Sequence, residues 1–190
     1  MSTLGEVEFS IDVLESEGIR RSSITVLHCT SEYPAPLEDV NLNAMRTISN
    51  ALNVATGYSD HTEGIVVPTC AAALGAHIIE KHLTLDRNLR GPDHKASIEP
   101  GEFKKMVEAI KMAKQVMGNG VKRPMKSERD NIKIVRKFIV ASKFIKKGEV
   151  FNDSNLTTKR TGDGIPANLW DYWIGKKAMK DFEEDEIITG

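Results

Sequence analysis

The chain has 190 residues, fewer than the roughly 250 of a typical (β/α)₈ barrel, so one complete large barrel is excluded. Hydrophobic residues at 40% and charged residues at 28% suit a globular chain, and no run approaches the ~18 apolar residues of a membrane-spanning helix. Lys+Arg 26 against Asp+Glu 27 leaves a net charge of −1, without the global positive field that gathers nucleic-acid phosphates or anionic lipid. No nucleic-acid or membrane partner is therefore expected.

Residues 4–17 read as a helix, with Val7, Ile11 and Leu14 on one stripe and Gly18 as its stop. A strand over 24–29 follows, then the turn-rich segment 31–36 and a helix over 41–52. A second strand ends at Gly57-Tyr-Ser-Asp-His61, and a helix carrying Ile65, Cys70, Ala73 and Leu74 leads to a third strand over 77–83. Residues 85–100 form a long polar loop, of a length that in a compact domain is usually functional. Pro100 then opens a helix to Met117, with Phe103, Met106, Val107 and Ile110 on one face.

Breaker-rich residues 118–130 are predicted to be a linker between a domain over 1–117 and a β-rich module over 131–190. The module is expected to hold short strands at 138–141, 149–151, 156–159 and 187–188. Three βα units cannot close a parallel barrel, so the sequence reads as the later part of a longer one followed by an appendage. Cys29 and Cys70 have no second cysteine nearby and are expected as reduced, buried thiols. The N-terminus has no signal-peptide pattern, and a cytoplasmic location is expected.

Side chains two apart on a strand share a face, which groups Gly57, Ser59 and His61 on the second strand and Ile78, Glu80 and His82 on the third. Both histidines come last, at the strand ends where parallel barrels place their active sites. Neighbouring strands lie ~4.8 Å apart, close enough for two imidazoles to share one divalent ion through ~2.1 Å bonds. The same spacing accommodates two strand-end histidines that only hydrogen-bond loops. Glu80 is placed facing inward, one layer below His82, where a carboxylate needs a partner; functional and structural partners fit equally. His28 faces the opposite side of its strand from Cys29, toward a helix, and is assigned a packing role; His77 stands at the wrong strand end for catalysis.

Four motifs, His28-Cys-Thr-Ser-Glu-Tyr-Pro-Ala-Pro36, Gly57-Tyr-Ser-Asp-His-Thr62, Ile79-Glu-Lys-His82 and Gly91-Pro-Asp-His-Lys-Ala-Ser97, occur in the order and spacing of one family. On them the chain resembles the N-acetylneuraminate (sialic acid) synthases. The likeness continues through Ile145-Lys-Lys-Gly-Glu149 and Lys159-Arg-Thr-Gly-Asp-Gly-Ile165, which resemble that family's C-terminal antifreeze-like, or SAF, domain. The fold implied is α/β: the C-terminal part of a (β/α)₈ TIM barrel, beginning just past its fifth strand, followed by a small β-rich SAF domain of β-clip type.

The resemblance implies condensation of phosphoenolpyruvate with an N-acylated hexosamine, usually N-acetylmannosamine, to a nonulosonic acid with release of phosphate. It implies a divalent metal, Mn²⁺ in most members with Mg²⁺ or Co²⁺ as alternatives, on His61 and His82. By position Glu80 matches an active-site carboxylate and Ser59 a phosphate contact. Ser31 falls in the phosphoenolpyruvate site, where some members carry Asn. Tyr33 and Asp93 match sugar contacts, and Arg160 matches the SAF arginine that reaches the N-acyl group across a domain-swapped homodimer. Thr161 replaces the Pro common after that arginine. The family's phosphoenolpyruvate-binding lysines belong to its earlier half, so this segment alone is not expected to be a competent enzyme. Two alternatives stand: a non-catalytic sugar-binding or dimerisation fragment, or a legionaminic or pseudaminic acid synthase acting on a bulkier diamino sugar.

Overall fold

The computed structural model describes residues 1–189. Contacts divide the chain into one unit over Met1–Gly120 and a second over Val121–Gly190.

Helix α1 (Leu4–Ser16) opens the first unit under a reciprocal cap, the Thr3 hydroxyl accepting from the Glu6 N–H and the Glu6 carboxylate accepting from the Thr3 N–H at 2.6 Å. Strands β1 (Thr25–Cys29), β2 (Ala55–Asp60) and β3 (Ile79–Lys81) form one parallel sheet in the order β1-β2-β3. Helix α2 (Asn43–Leu52) connects β1 to β2, α3 (Val66–Ala73) connects β2 to β3, and α4 (Pro100–Met117) follows the long loop.

Two apolar clusters glue the helices to one face of this sheet. Ile11, Ile48, Leu52 and Val54 pack together, with Val26 of β1 against them. Val40, Met45, Tyr58 and Ala71 form the second cluster around β2. Each fully buried side chain of this size contributes about 1.5–3 kcal/mol relative to its exposed state, so the sheet is held from its helix side. The opposite face is open: Ile78 is 48% exposed and Glu80 is exposed with it.

Gly57 sets the spacing of the strands. A Cβ at this position would stand 2.6 Å from the Ile78 carbonyl oxygen and collide with the Leu27 side chain, so nothing larger than glycine fits between β1 and β3.

In the second unit α5 (Arg129–Val135) precedes the antiparallel pair β4 (Phe138–Ala141) and β5 (Leu156–Lys159). Helix α6 (Trp170–Trp173) completes the elements. The core is Ile139, Ala141, Ile145, Phe151, Leu156, Ala178, Phe182 and Ile188. Asn155, fully buried, satisfies itself by donating to the Val150 carbonyl at 3.0 Å and accepting from the Asn152 N–H at 2.8 Å.

Several expectations need correction. The segments at 149–151 and 187–188 are not extended strands but single bridges, Val150 to Lys177 and Val140 to Ile187, flanked by a few backbone hydrogen bonds such as Phe151 N–H to the Lys176 carbonyl and Ile188 N–H to the Ile139 carbonyl, a pairing too short to build a ladder. The third strand is shorter than 77–83, although backbone bonds from Tyr58 N–H to Ile78 and from His77 N–H to Thr56 continue its pairing below Ile79. The cysteines are not buried: Cys29 is half-buried and Cys70 is exposed, since α3 turns Pro68 and Ala71 inward instead. Residues 126–135, half of them in the expected linker, are ordered as a helical turn running into α5.

Candidate active site

Register places Ser59 directly opposite Glu80 and Asp60 opposite Lys81. On the open face the Ser59 hydroxyl donates to Glu80 Oε1 at 2.7 Å. Ser59 is buried, 6% exposed, whereas the carboxylate across from it is exposed rather than enclosed as expected, because no further described strand covers that face.

One residue beyond the ladder, His61 and His82 stand with ring centroids 5.2 Å apart and planes at 84°. His61 is 7% exposed and lies under Tyr33, whose ring centroid is 4.0 Å away; Tyr33 also meets His82 edge-on at 5.2 Å. The segment carrying Tyr33 returns to the site through the Ala35 N–H, which donates to the His61 carbonyl at 3.0 Å.

The His61 tautomer follows from its partner. Nδ1 lies 2.7 Å from the Thr30 carbonyl oxygen, which can only accept, so Nδ1 carries a proton, and in the neutral ring this leaves the Nε2 lone pair for a ligand. That is the protonation a metal-ligating imidazole requires, with a backbone carbonyl fixing the ring. The donor set fits a divalent ion on two nitrogens. Among the described residues no group of three or more His, Cys, Asp or Glu side chains forms a larger ligand set.

On the helix side of the same strand ends lies a second cluster. Lys81 Nζ is 2.6 Å from Asp60 Oδ2, with side chains 1% and 0% exposed, and donates to the Thr62 carbonyl at 2.6 Å. Asp60 Oδ1 accepts from the Thr62 N–H at 3.0 Å and hydroxyl at 2.8 Å. Tyr58 is buried on this face, and its hydroxyl has no hydrogen-bond partner among the described residues. Burial, with the Asp60 charge nearby, pushes the Tyr58 phenol above its ordinary pKa.

Tyr33, Ser59, His61, Glu80 and His82 are thus brought together. Ser31 is exposed, one residue after the carbonyl that holds His61. Asp93 is exposed on the loop before α4, where its backbone carbonyl accepts from the Ser97 hydroxyl at 2.6 Å. Neighbouring His94 is tied to Thr84 Oγ1 at 2.8 Å. Arg160 is exposed in the second unit, just after β5. Its loop is pinned where Thr161 donates to the Asp163 carbonyl at 2.7 Å and where the Ile139 N–H bonds Ile165. His28 bonds the Val40 carbonyl at 2.8 Å, the packing role its strand face predicts. Sequence reasoning missed Asp60, Thr62 and Lys81; the available signal was that Asp60 and Lys81 immediately precede the two histidines on matching strands.

Residues 1–122 match the NeuB family and residues 136–190 the SAF domain. The chain belongs to the NeuB family. It is 52% identical over 188 residues to the N,N'-diacetyllegionaminic acid synthase of Campylobacter jejuni, covering 99% of this chain and 56% of the relative. It is 35% identical over 165 residues to the N-acetylneuraminate-9-phosphate synthase of Homo sapiens, covering 85% and 46%. The N-acetylneuraminic acid synthetase of Leptospira borgpetersenii, solved with citrate, superposes with a TM-score of 0.62 at 37% identity over 70% of this chain and 46% of that one. A spore coat polysaccharide biosynthesis protein from Chromobacterium violaceum shares the fold at a TM-score of 0.73 and 22% identity, covering 98% and 56%. The chain spans about half the length of the curated relatives it matches. Its architecture is a partial TIM barrel followed by a SAF domain, and no described helix is long and apolar enough to cross a membrane.

Proposed function

We propose that this chain supplies the later barrel strands and SAF domain of a nonulosonic acid synthase, joining phosphoenolpyruvate to an N-acylated hexosamine. The observation that carries the reading is the pairing of His61 and His82, 5.2 Å apart with Nε2 of His61 free, beside the Ser59–Glu80 hydrogen bond. The 52% identity to a legionaminic acid synthase, against 35% to an N-acetylneuraminate-9-phosphate synthase, favours a diamino hexose as the sugar.

In this reaction C3 of phosphoenolpyruvate attacks the sugar aldehyde carbon, water adds at C2, the aldehyde oxygen gains a proton, and phosphate leaves with the C2 oxygen bond broken. A divalent ion held by His61 and His82, Mn²⁺ by family likeness, would polarise that aldehyde. Ser59 has one proton to give and spends it on Glu80 in the structure. Turning that hydroxyl toward a phosphate oxygen releases the Glu80 carboxylate to accept the proton of the entering water. Tyr33, 45% exposed over His61, offers its ring and hydroxyl to the sugar. Ser31, Asp93 and Arg160 complete the proposed contacts, Ser31 with phosphoenolpyruvate, Asp93 with sugar hydroxyls, and Arg160 with the N-acyl oxygen in a partner subunit's site.

The test is phosphate release by the active enzyme containing this chain, with phosphoenolpyruvate and a panel of mono- and diacylated hexosamines. The diamino sugar should give the highest kcat/KM. Activity with N-acetylmannosamine alone would overturn the substrate assignment, and turnover with no hexosamine at all would overturn the reaction.

A further inference from the structure

We infer that the buried Asp60–Lys81 ion pair is a positioning device that sets the separation of His61 and His82. This rests on the proposed metal centre and extends it to residues that touch neither metal nor substrate.

The sheet's registered pairing ends at Asp60 and Lys81. The two histidines therefore lie one residue past the last strand pair, where backbone bonds between β2 and β3 no longer fix their distance. The ion pair takes over at that point. Lys81 Nζ reaches Asp60 Oδ2 and the Thr62 carbonyl, both at 2.6 Å, so a single ammonium from β3 grips the chain on each side of His61. Asp60 closes the turn by accepting both the N–H and the hydroxyl of Thr62. All three residues face away from the open side, and the side chains of Asp60 and Lys81 are 0% and 1% exposed.

A buried ion pair is a poor source of net stability, because desolvation offsets the attraction and apolar replacements of similar volume are often neutral or better. Geometry is the property that such a replacement would lose. An ammonium with three donors, two of them aimed at atoms flanking one ligand, constrains position in a way that packing alone does not. Changes to groups that hold metal ligands in place typically weaken metal binding about 10- to 100-fold.

The experiment titrates Mn²⁺ alone into the active enzyme containing this chain and into its Asp60→Asn/Lys81→Met variant. Paramagnetic broadening of the His61 and His82 ring signals in side-chain NMR reports binding, and circular dichroism gives Tm. In the parent chain the two histidines should broaden together at one Mn²⁺ concentration. In the variant the midpoint should rise about tenfold or more while Tm stays close to the parent value. An unchanged midpoint in the folded variant overturns the positioning role and leaves the metal centre standing. Absence of joint broadening in the parent chain overturns the metal centre and this inference with it. Should the double variant fail to fold, Lys81→Arg decides: it keeps the positive charge but replaces the compact ammonium that reaches both Asp60 and the Thr62 carbonyl, and a higher midpoint at unchanged Tm supports the role, whereas an unchanged midpoint defeats it.

Discussion

Ser59 and Glu80, 21 residues apart in sequence, are joined by a 2.7 Å hydrogen bond that crosses β2 to β3 on the open face of the sheet. If the hydroxyl turns to the phosphate of phosphoenolpyruvate during the reaction, Ser59→Ala removes one hydrogen bond to a charged group, typically about 1.5–3 kcal/mol. The kcat/KM for phosphoenolpyruvate should fall roughly 10- to 100-fold by that energy, with the hexosamine KM little changed. Steady-state kinetics with each substrate varied in turn makes the comparison, and an equal loss for both substrates would place Ser59 elsewhere.

Gly57→Ala tests how tightly the site strands are spaced. The added methyl meets the Ile78 carbonyl and the Leu27 side chain, and overpacking of this kind costs about 1–3 kcal/mol. Denaturant unfolding should show that loss. A variant as stable as the parent would mean that β1 and β3 separate without penalty.

The orphaned Tyr58 hydroxyl gives a pH-dependent prediction. Its pKa is raised in the fold above the ordinary value of 10.0 by burial and by the Asp60 charge. Above that ordinary value the unfolded chain loses the phenol proton while the folded chain keeps it, so the unfolded state binds fewer protons and stability falls as pH rises. The contribution is complete below pH 10 and is lost toward the raised value. Tyr58→Phe should therefore flatten the decline of Tm between pH 10 and 11.5. It should also hold or raise Tm at pH 7, since it removes an unpaired buried polar group. An unaltered alkaline slope would show that Tyr58 is ordinary in the fold.

How much of this was legible in the sequence differs from residue to residue. Strand alternation placed Ser59 with His61 and Glu80 with His82, and it turned His28 toward the helix layer, because a period of two leaves little freedom once the strands are located. It could not show that Asp60 and Lys81 are buried, since isolated charges in a sequence read as solvated and only the register reveals that they face each other. Nor could it separate true strands from single bridges in the second unit, where Val150 and Ile187 have strand-like neighbours but one partner each. The Thr30 carbonyl that fixes the His61 tautomer is backbone chemistry and leaves no mark on the side-chain pattern.

Arg160, exposed at the end of β5, carries a charge that does not depend on pH and five donors suited to a carbonyl oxygen. Arg160→Ala should raise the KM for the hexosamine more than that for phosphoenolpyruvate. If the residue acts in a partner's site, an inactive Arg160→Ala subunit mixed with an inactive His61→Ala subunit should recover activity in one site of the mixed dimer. Demonstrated heterodimers with no recovery would confine Arg160 to its own subunit.

The most direct measurement is metal content together with phosphate release in His61→Ala and His82→Ala forms of the active enzyme, with circular dichroism confirming the fold. Both variants should lose bound divalent metal and condensation activity while retaining secondary structure, because each removes one of the two nitrogen donors that the strand ends present 5.2 Å apart, centroid to centroid. Full metal stoichiometry and undiminished phosphate release in both variants would contradict the assignment of this pair as the metal centre.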